Sequence, residues 1–189
     1  MNKIHEGIIM VRGKGTGFVS HPELDEDIVI EREALGFALD GDIVEVELKD
    51  KKPGQRYEGK VTKVIKSAHR ELIGAVKERD ENGQTVLYLQ PDNRRIHIKP
   101  LLPSASANDL DMKVVVEIES WKNPHVDPTA KIVEVLGPVG DHETEMQAII
   151  RSGGFAKDFP ESVQQAAEDL HNRKEEIFAT ALQDPKRRD

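Results

Sequence analysis

The residues best placed to do chemistry are cations. Between positions 49 and 66 stand Lys49, Lys51, Lys52, Arg56, Lys60, Lys63 and Lys66 against only Asp50 and Glu58. Such a density of ammonium and guanidinium groups suits the neutralisation of phosphates, so any electrostatic contact with a nucleic-acid backbone is expected to start here. A second grouping precedes it, where Arg12 stands beside the run Gly13-Lys14-Gly15-Thr16-Gly17-Phe18-Val19. Its glycines permit sharp bends and close approach of a ligand, and Arg12 and Lys14 can neutralise phosphate. The run is not a nucleotide-binding P-loop, because the spacing of its Gly-Lys-Ser/Thr element is absent. The densest acidic group, Glu23, Asp25, Glu26 and Asp27, falls in a loop ahead of a strand and reads as a solvated turn rather than a metal site. The histidines, His21, His97 and His142 among them, show no paired-ligand spacing. With no cysteine, disulfides, thiolate metal sites and cysteine nucleophiles are excluded. The residues thus suggest binding, with no catalytic residue and no metal ligand assigned.

The elements that must position these groups come from an internal repeat of roughly 70 residues. Glu6 to Met10 is echoed by Ile73 to Val76, Asp27 to Glu31 by Arg95 to Lys99, Asp42 to Glu47 by Lys113 to Glu119, and Lys60 to Ile65 by Lys131 to Leu136, in the same order. Each unit offers about five short segments rich in β-branched residues with apolar and polar positions alternating. Gly13-Lys14-Gly15 and Asn82-Gly83 stand where hairpin turns would need positive φ. The expectation is mainly β: two tandem five-stranded OB-type barrels over residues 1–69 and 70–137, then a helical connector over 138–189. In the connector Asp141 would cap a helix with Met146, Ile149 and Ile150 on one face, ended by Gly153-Gly154. Pro160 would open a second helix with Val163, Ala166, Ala167 and Leu170 on one stripe, and a third would run from Arg173 to Leu182.

Composition agrees with small barrels: 189 residues are 37% hydrophobic and 33% charged but only 4% aromatic, which gives modest cores of Val, Ile and Leu. No run approaches the ~18 apolar residues of a membrane span, and the N-terminus shows no apolar signal region, so no membrane partner and a cytoplasmic location are expected. The net charge of −8 runs against a nucleic-acid binder, and none of the three segments is basic overall.

The whole chain nevertheless resembles one family. Lys14-Gly15-Thr16-Gly17-Phe18-Val19 with Asp27-Ile28-Val29-Ile30 is similar to the paired RNA-binding motifs of cold-shock domains, and the stretch from Glu6 to Ile65 resembles the first such domain of the ribonuclease II/ribonuclease R family. Leu72 to Gly137, with Arg94-Arg95-Ile96-His97-Ile98, resembles the second, residues 140–170 the linker that follows, and Arg187-Arg188-Asp189 the entry to the catalytic domain. The resemblance implies a single-stranded RNA-binding and guiding region of a 3′→5′ exoribonuclease, a hydrolase, with the catalytic domain missing. Mg²⁺ is implied for that absent domain and no cofactor for this chain. Phe18 would stack a base. Phosphate would meet Arg12, Lys14, Lys49, Lys51, Lys52, Arg56 and Lys60 in the first unit and Arg94, Arg95 and Lys99 in the second. A monomer is expected, with protein or ribosome contacts open.

Departures from the family pattern remain. Thr16 stands where cold-shock proteins commonly carry an aromatic, and Val29 and Glu31 replace the usual aromatic and histidine. The second unit offers only Tyr88, beside Val86 and Leu87, as core or as platform. The helical domain often found ahead of the first barrel in the family is missing. The alternative function is a non-enzymatic tandem OB adaptor that binds a protein partner, favoured by the acidic balance and the few aromatics.

Overall fold

The computed structural model describes residues 4–13, 15–50, 54, 56–68, 71–154 and 161–174. Lys14, Lys51, Lys52, Pro160, Arg187 to Asp189 and most of the expected third helix lie outside the described residues.

Among the described residues nine strands and two α-helices follow one another. The first unit contains β1 (Ile4–Arg12), β2 (Thr16–Val19), β3 (Ile28–Ile30), β4 (Ile43–Leu48) and β5 (Glu58–Lys66), closed into a barrel in the order β1-β2-β3-β5-β4. Every contact in that ring is antiparallel except β3 with β5, which pair parallel through Val29 to Glu58 and Ile30 to Gly59. Alternation dictates the core: Ile9, Val11, Val19, Ile28, Ile30, Val44 and Val46 point inward and are fully buried with Leu35. Gly13 and Gly15 carry the hairpin between β1 and β2 at φ of 58° and 112°, a region costly for a residue with a Cβ.

The second unit contains β6 (Leu72–Glu81), β7 (Gln84–Pro91), β8 (Met112–Ser120) and β9 (Thr129–Pro138), an antiparallel sheet in the order β7-β6-β8-β9. Asn82 and Gly83, both at positive φ, make the two-residue turn between β6 and β7, as their types require. Closure differs from the expectation of five strands in this unit. Arg95 to Lys99 forms no strand; Leu101 alone bridges β7 and β9, antiparallel to Tyr88 and parallel to Thr129. The physical reason lies in Asn93 and Pro100. Asn93 folds Arg94 and Arg95 into a turn, its side chain accepting from the Arg95 N–H and its carbonyl from the Ile96 N–H, while Pro100 has no N–H to give to a ladder. Ile96 and Ile98 still reach the core with Val76, Leu89, Leu102, Val114 and Val116, so their alternation reports burial without pairing.

Helix α1 (His142–Ser152) begins as expected, with Asp141 accepting from the Thr144 N–H at 3.0 Å. Its docked face is not the expected one. Thr144 and Ala148 are buried, whereas Met146, Ile149 and Ile150 stay exposed, Ile149 at 63%. Polar clamps decide this. Lys113, its side chain only 6% exposed, contacts Asp92 at 2.9 Å and Glu145 at 3.0 Å. Arg151 holds Glu71 at 3.0 Å and Glu134 at 3.7 Å. Burial pulls the Lys113 ammonium down, but its hydrogen bonds to Asp92 and Glu145 outweigh that and hold it raised. Helix α2 (Glu161–Asn172) leaves Val163 and Leu170 exposed.

The units share a seam. Leu39, from the first, joins the core of the second, and Phe37 meets Trp121 edge to face at 5.3 Å. Buried Asp42 accepts from the Leu39 N–H at 2.8 Å and the Ala68 N–H at 2.7 Å, tying the turn ahead of β4 to the start of the connection between the units.

Candidate nucleic-acid interface

Gly17 and Val19 face the core of the first barrel, so the residues between and beside them, Thr16 and Phe18, face out. At Gly17 a Cβ would come within 2.8 Å of Ile9 and Leu35 side-chain atoms, so glycine lets β2 seat deeply and sets Phe18 over its neighbours. Register places Phe18 between Met10 of β1 and Val29 of β3, with Glu58 of β5 next in the row. The Arg12 guanidinium lies 5.5 Å from the Phe18 ring centre, within cation–π range. Arg12, Phe18, Val29 and Arg56 then line one crevice of about 660 Å³ together with Glu26 and Asp27. This arrangement offers a flat apolar seat with two guanidiniums, fit for a base and its phosphates. Met10 was not singled out from sequence; a methionine opposite an exposed ring on a half-exposed strand was the available signal.

The remaining cations scatter. Lys49 is held by Glu58 at 3.3 Å, and Lys60 stands opposite Glu47 across β4 and β5. Arg94 is exposed on the turn after β7, and Arg95 faces Asp40 of the first unit at 3.6 Å. Lys99 lies 5.3 Å from the Tyr88 ring centre, which Arg79 approaches at 5.1 Å. The basic stretch read from sequence thus has two of its cations, Lys49 and Lys60, beside carboxylates. Within it, Arg56 alone reaches the Phe18 crevice among the described residues. The acidic loop gives no cation cage: Asp27 accepts from the Ser20 hydroxyl, and among the described residues no three His, Asp or Glu side chains are grouped to hold a metal.

At the seam a polar crevice of about 220 Å³ is lined by Arg32, His97, His125 and Asp127. Arg32 donates to the His97 carbonyl at 3.3 Å. His97 Nδ1 is buried without a hydrogen-bond partner. Burial first, and the Arg32 charge second, push the His97 imidazole below its ordinary value, against the pull of Asp127. The unfolded chain takes up this proton below about pH 6.5 and the folded chain only at lower pH. The seam's stability is thus complete above that value and falls as the pH drops through the window beneath it. Thermal unfolding followed from pH 7.5 to 5.5 should show a falling melting temperature, with a flatter profile for His97→Gln. Parallel profiles would remove His97 from the seam's pH response.

Fold and outer face together define a tandem of cold-shock-type OB domains. Residues 7–64 match the family model described as the ribonuclease B OB domain, and residues 88–160 the cold shock domain. Ribonuclease R 1 of Lactococcus lactis is 27% identical over 173 residues, covering 86% of this chain and 21% of that protein. Among solved structures, apo Mycoplasma genitalium RNase R superposes with a TM-score of 0.72 at 23% identity, over 88% of this chain and 27% of that one. Yeast Ssd1, a pseudonuclease, gives 0.65 at 20% identity, over 81% and 25%. The chain thus carries matches to the ribonuclease B OB domain and the cold shock domain, and over most of its length it is similar to proteins named ribonuclease R. It spans about a fifth of the length of the Lactococcus and Vibrio curated relatives. No helix among the described residues is long and apolar enough to cross a membrane.

Proposed function

We propose that this chain binds single-stranded RNA and guides it toward the catalytic domain of a cytoplasmic, monomeric 3′→5′ exoribonuclease of the ribonuclease II/R family. The observation that carries the reading is the crevice where Arg12, Phe18 and Arg56 converge: one ring for a base, two guanidiniums for its phosphates, on the outer face of an OB barrel. A relative supports it, since Mycoplasma genitalium RNase R has been solved in complex with ribose methylated single-stranded RNA. Phosphodiester cleavage, and the Mg²⁺ that would activate water for it, belong in this reading to the catalytic domain.

Arg12 and Arg56 bind and orient; they abstract no proton. The test incubates end-labelled single-stranded RNA with the chain and Mg²⁺ or Mn²⁺, beside an Asp25→Ala/Asp27→Ala variant. Retarded but intact RNA is expected. Stepwise 3′ shortening that the variant loses would put an active site in the first barrel. The adaptor reading draws on exposed Ile4, Ile8 and Met10, which alternate along the outer face of β1, and a chain with no affinity for RNA would favour it.

A further inference from the structure

The outer face of the first barrel has a counterpart in the second unit. In the first, β1 and β2 pair Met10 with Phe18 and Arg12 with Thr16. In the second, β6 and β7 pair Lys77 with Tyr88 and Arg79 with Val86. In each hairpin, then, a ring on the second strand lies diagonal to an arginine two residues beyond its partner, and that arginine covers it: Arg12 over Phe18 at 5.5 Å and Arg79 over Tyr88 at 5.1 Å. The correspondence continues across the third position. Phe18 pairs with Val29 and Val29 with Glu58; Tyr88 bridges to Leu101 and Leu101 to Thr129, with the same antiparallel and parallel senses. Leu101 is thus the equivalent of Val29, and Tyr88 of Phe18.

From this correspondence we infer that Tyr88 is a second base-stacking platform for single-stranded RNA, with Lys99 as its phosphate contact. The inference rests on the proposed RNA-binding function. Tyr88 is partly exposed, on the face opposite buried Leu89, so its ring is not core. Three cations surround it: Lys77 is its cross-strand partner, paired with Asp111, and Arg79 and Lys99 both lie over the ring, Arg79 paired with Glu81 and Asp127. Asp127 holds this group in place, accepting from Arg79 at 3.3 Å and from the Lys99 N–H at 2.8 Å. Arg79 is thereby fixed as a second flat surface. Among the described residues the Lys99 ammonium has no carboxylate on it, so an arriving base can displace it from the ring toward its own phosphate. The hairpin of the first platform reaches the segment that leads to Lys99. A Cβ at Gly15, in the hairpin that carries Arg12, would lie 3.5 Å from the His97 Cβ, and His97 is two residues from Lys99.

The experiment measures binding of the full chain to a fluorescein-labelled oligouridylate of about twelve nucleotides, a length within reach of two OB folds. Tyr88→Ala should weaken binding roughly tenfold with the salt slope unchanged, because stacking releases no counterions. Tyr88→Phe should bind like the parent. Lys99→Gln should lower the slope by about 0.7. If Tyr88→Ala melts early, Tyr88→Leu, which keeps bulk without a π face, must show the same loss. Parent-like binding by a folded Tyr88→Ala or Tyr88→Leu, while Phe18→Ala weakens it, overturns the second platform and leaves the proposed function standing. A loss by Tyr88→Phe equal to that of Tyr88→Ala also overturns it, since the hydroxyl would then be the contact. No binding by the parent sinks both.

Discussion

Gly74→Ala is expected to unfold the second unit well below the parent's melting temperature. Gly74 of β6 pairs with Pro91 of β7 on one side and Val114 of β8 on the other, and a Cβ there would land on the Gln90 carbonyl, inside van der Waals contact, and within 2.8 Å of Pro91 Cα. The obstacle is backbone, which cannot swing aside as a side chain can, so relief requires parting β6 from β7. Overpacking of this kind costs about 3 kcal/mol or more, which in a domain of this size lowers the melting temperature by at least about 10 °C. Gly83→Asn is the control: nothing lies within 4 Å of its Cβ position, and asparagine tolerates positive φ. Calorimetry that finds both variants within a few degrees of the parent would mean that β6 and β7 are not packed as closely as described.

The second large effect concerns RNA. Arg12→Glu combined with Arg56→Glu should reduce affinity for single-stranded RNA by about a hundredfold at moderate salt and flatten the log–log salt dependence by about 1.4, twice the contribution of one phosphate contact on a single strand. Phe18→Ala in the same titration should lose affinity with the slope retained. An unchanged slope in the double variant would move the phosphate path away from the crevice that these arginines line.

Much of the fold was legible because strand alternation and turn chemistry are local. Val44-Glu45-Val46-Glu47 is β4 with its valines inward, Asn82-Gly83 turns as its residue types demand, and Asp141 caps α1. The misread segment, Arg95 to Lys99, has the alternation of a strand; an extended chain over a core needs the same pattern whether or not a neighbour pairs with it. Along α1 the three large apolar residues lost to ion pairs whose partners, Lys113, Glu71 and Glu134, are far away in sequence.

The site was legible only where one hairpin contains it. Arg12 and Phe18 lie on adjacent strands joined by one short turn, so their meeting follows from the hairpin itself. What the spacing of the basic stretch did not reveal is that Glu58 and Glu47 stand beside Lys49 and Lys60, because those neighbours are set by register. The sequence offered Tyr88 as core or as platform, and its equivalence to Phe18 follows from Leu101, which takes the third-strand place expected of Arg95 to Lys99.

The reduction of that third strand to Leu101 also sets where the second unit breathes. Four amide-to-carbonyl links close it, Leu89 to Pro100, Leu102 to Leu87, Leu101 to Pro128 and Ala130 to Leu101, whereas β6 with β7 and β8 with β9 pair along most of their lengths. Sub-global opening begins where such links are few. The flank between β7 and β9 is therefore the compliant wall of the sheet, and it carries Tyr88 and adjoins Lys99. A purine and a pyrimidine differ in girth. Under the proposed function, a wall that yields would accept either in turn while the longer-paired strands keep their shape, the mechanical tolerance that a strand of mixed sequence demands of any surface it slides across.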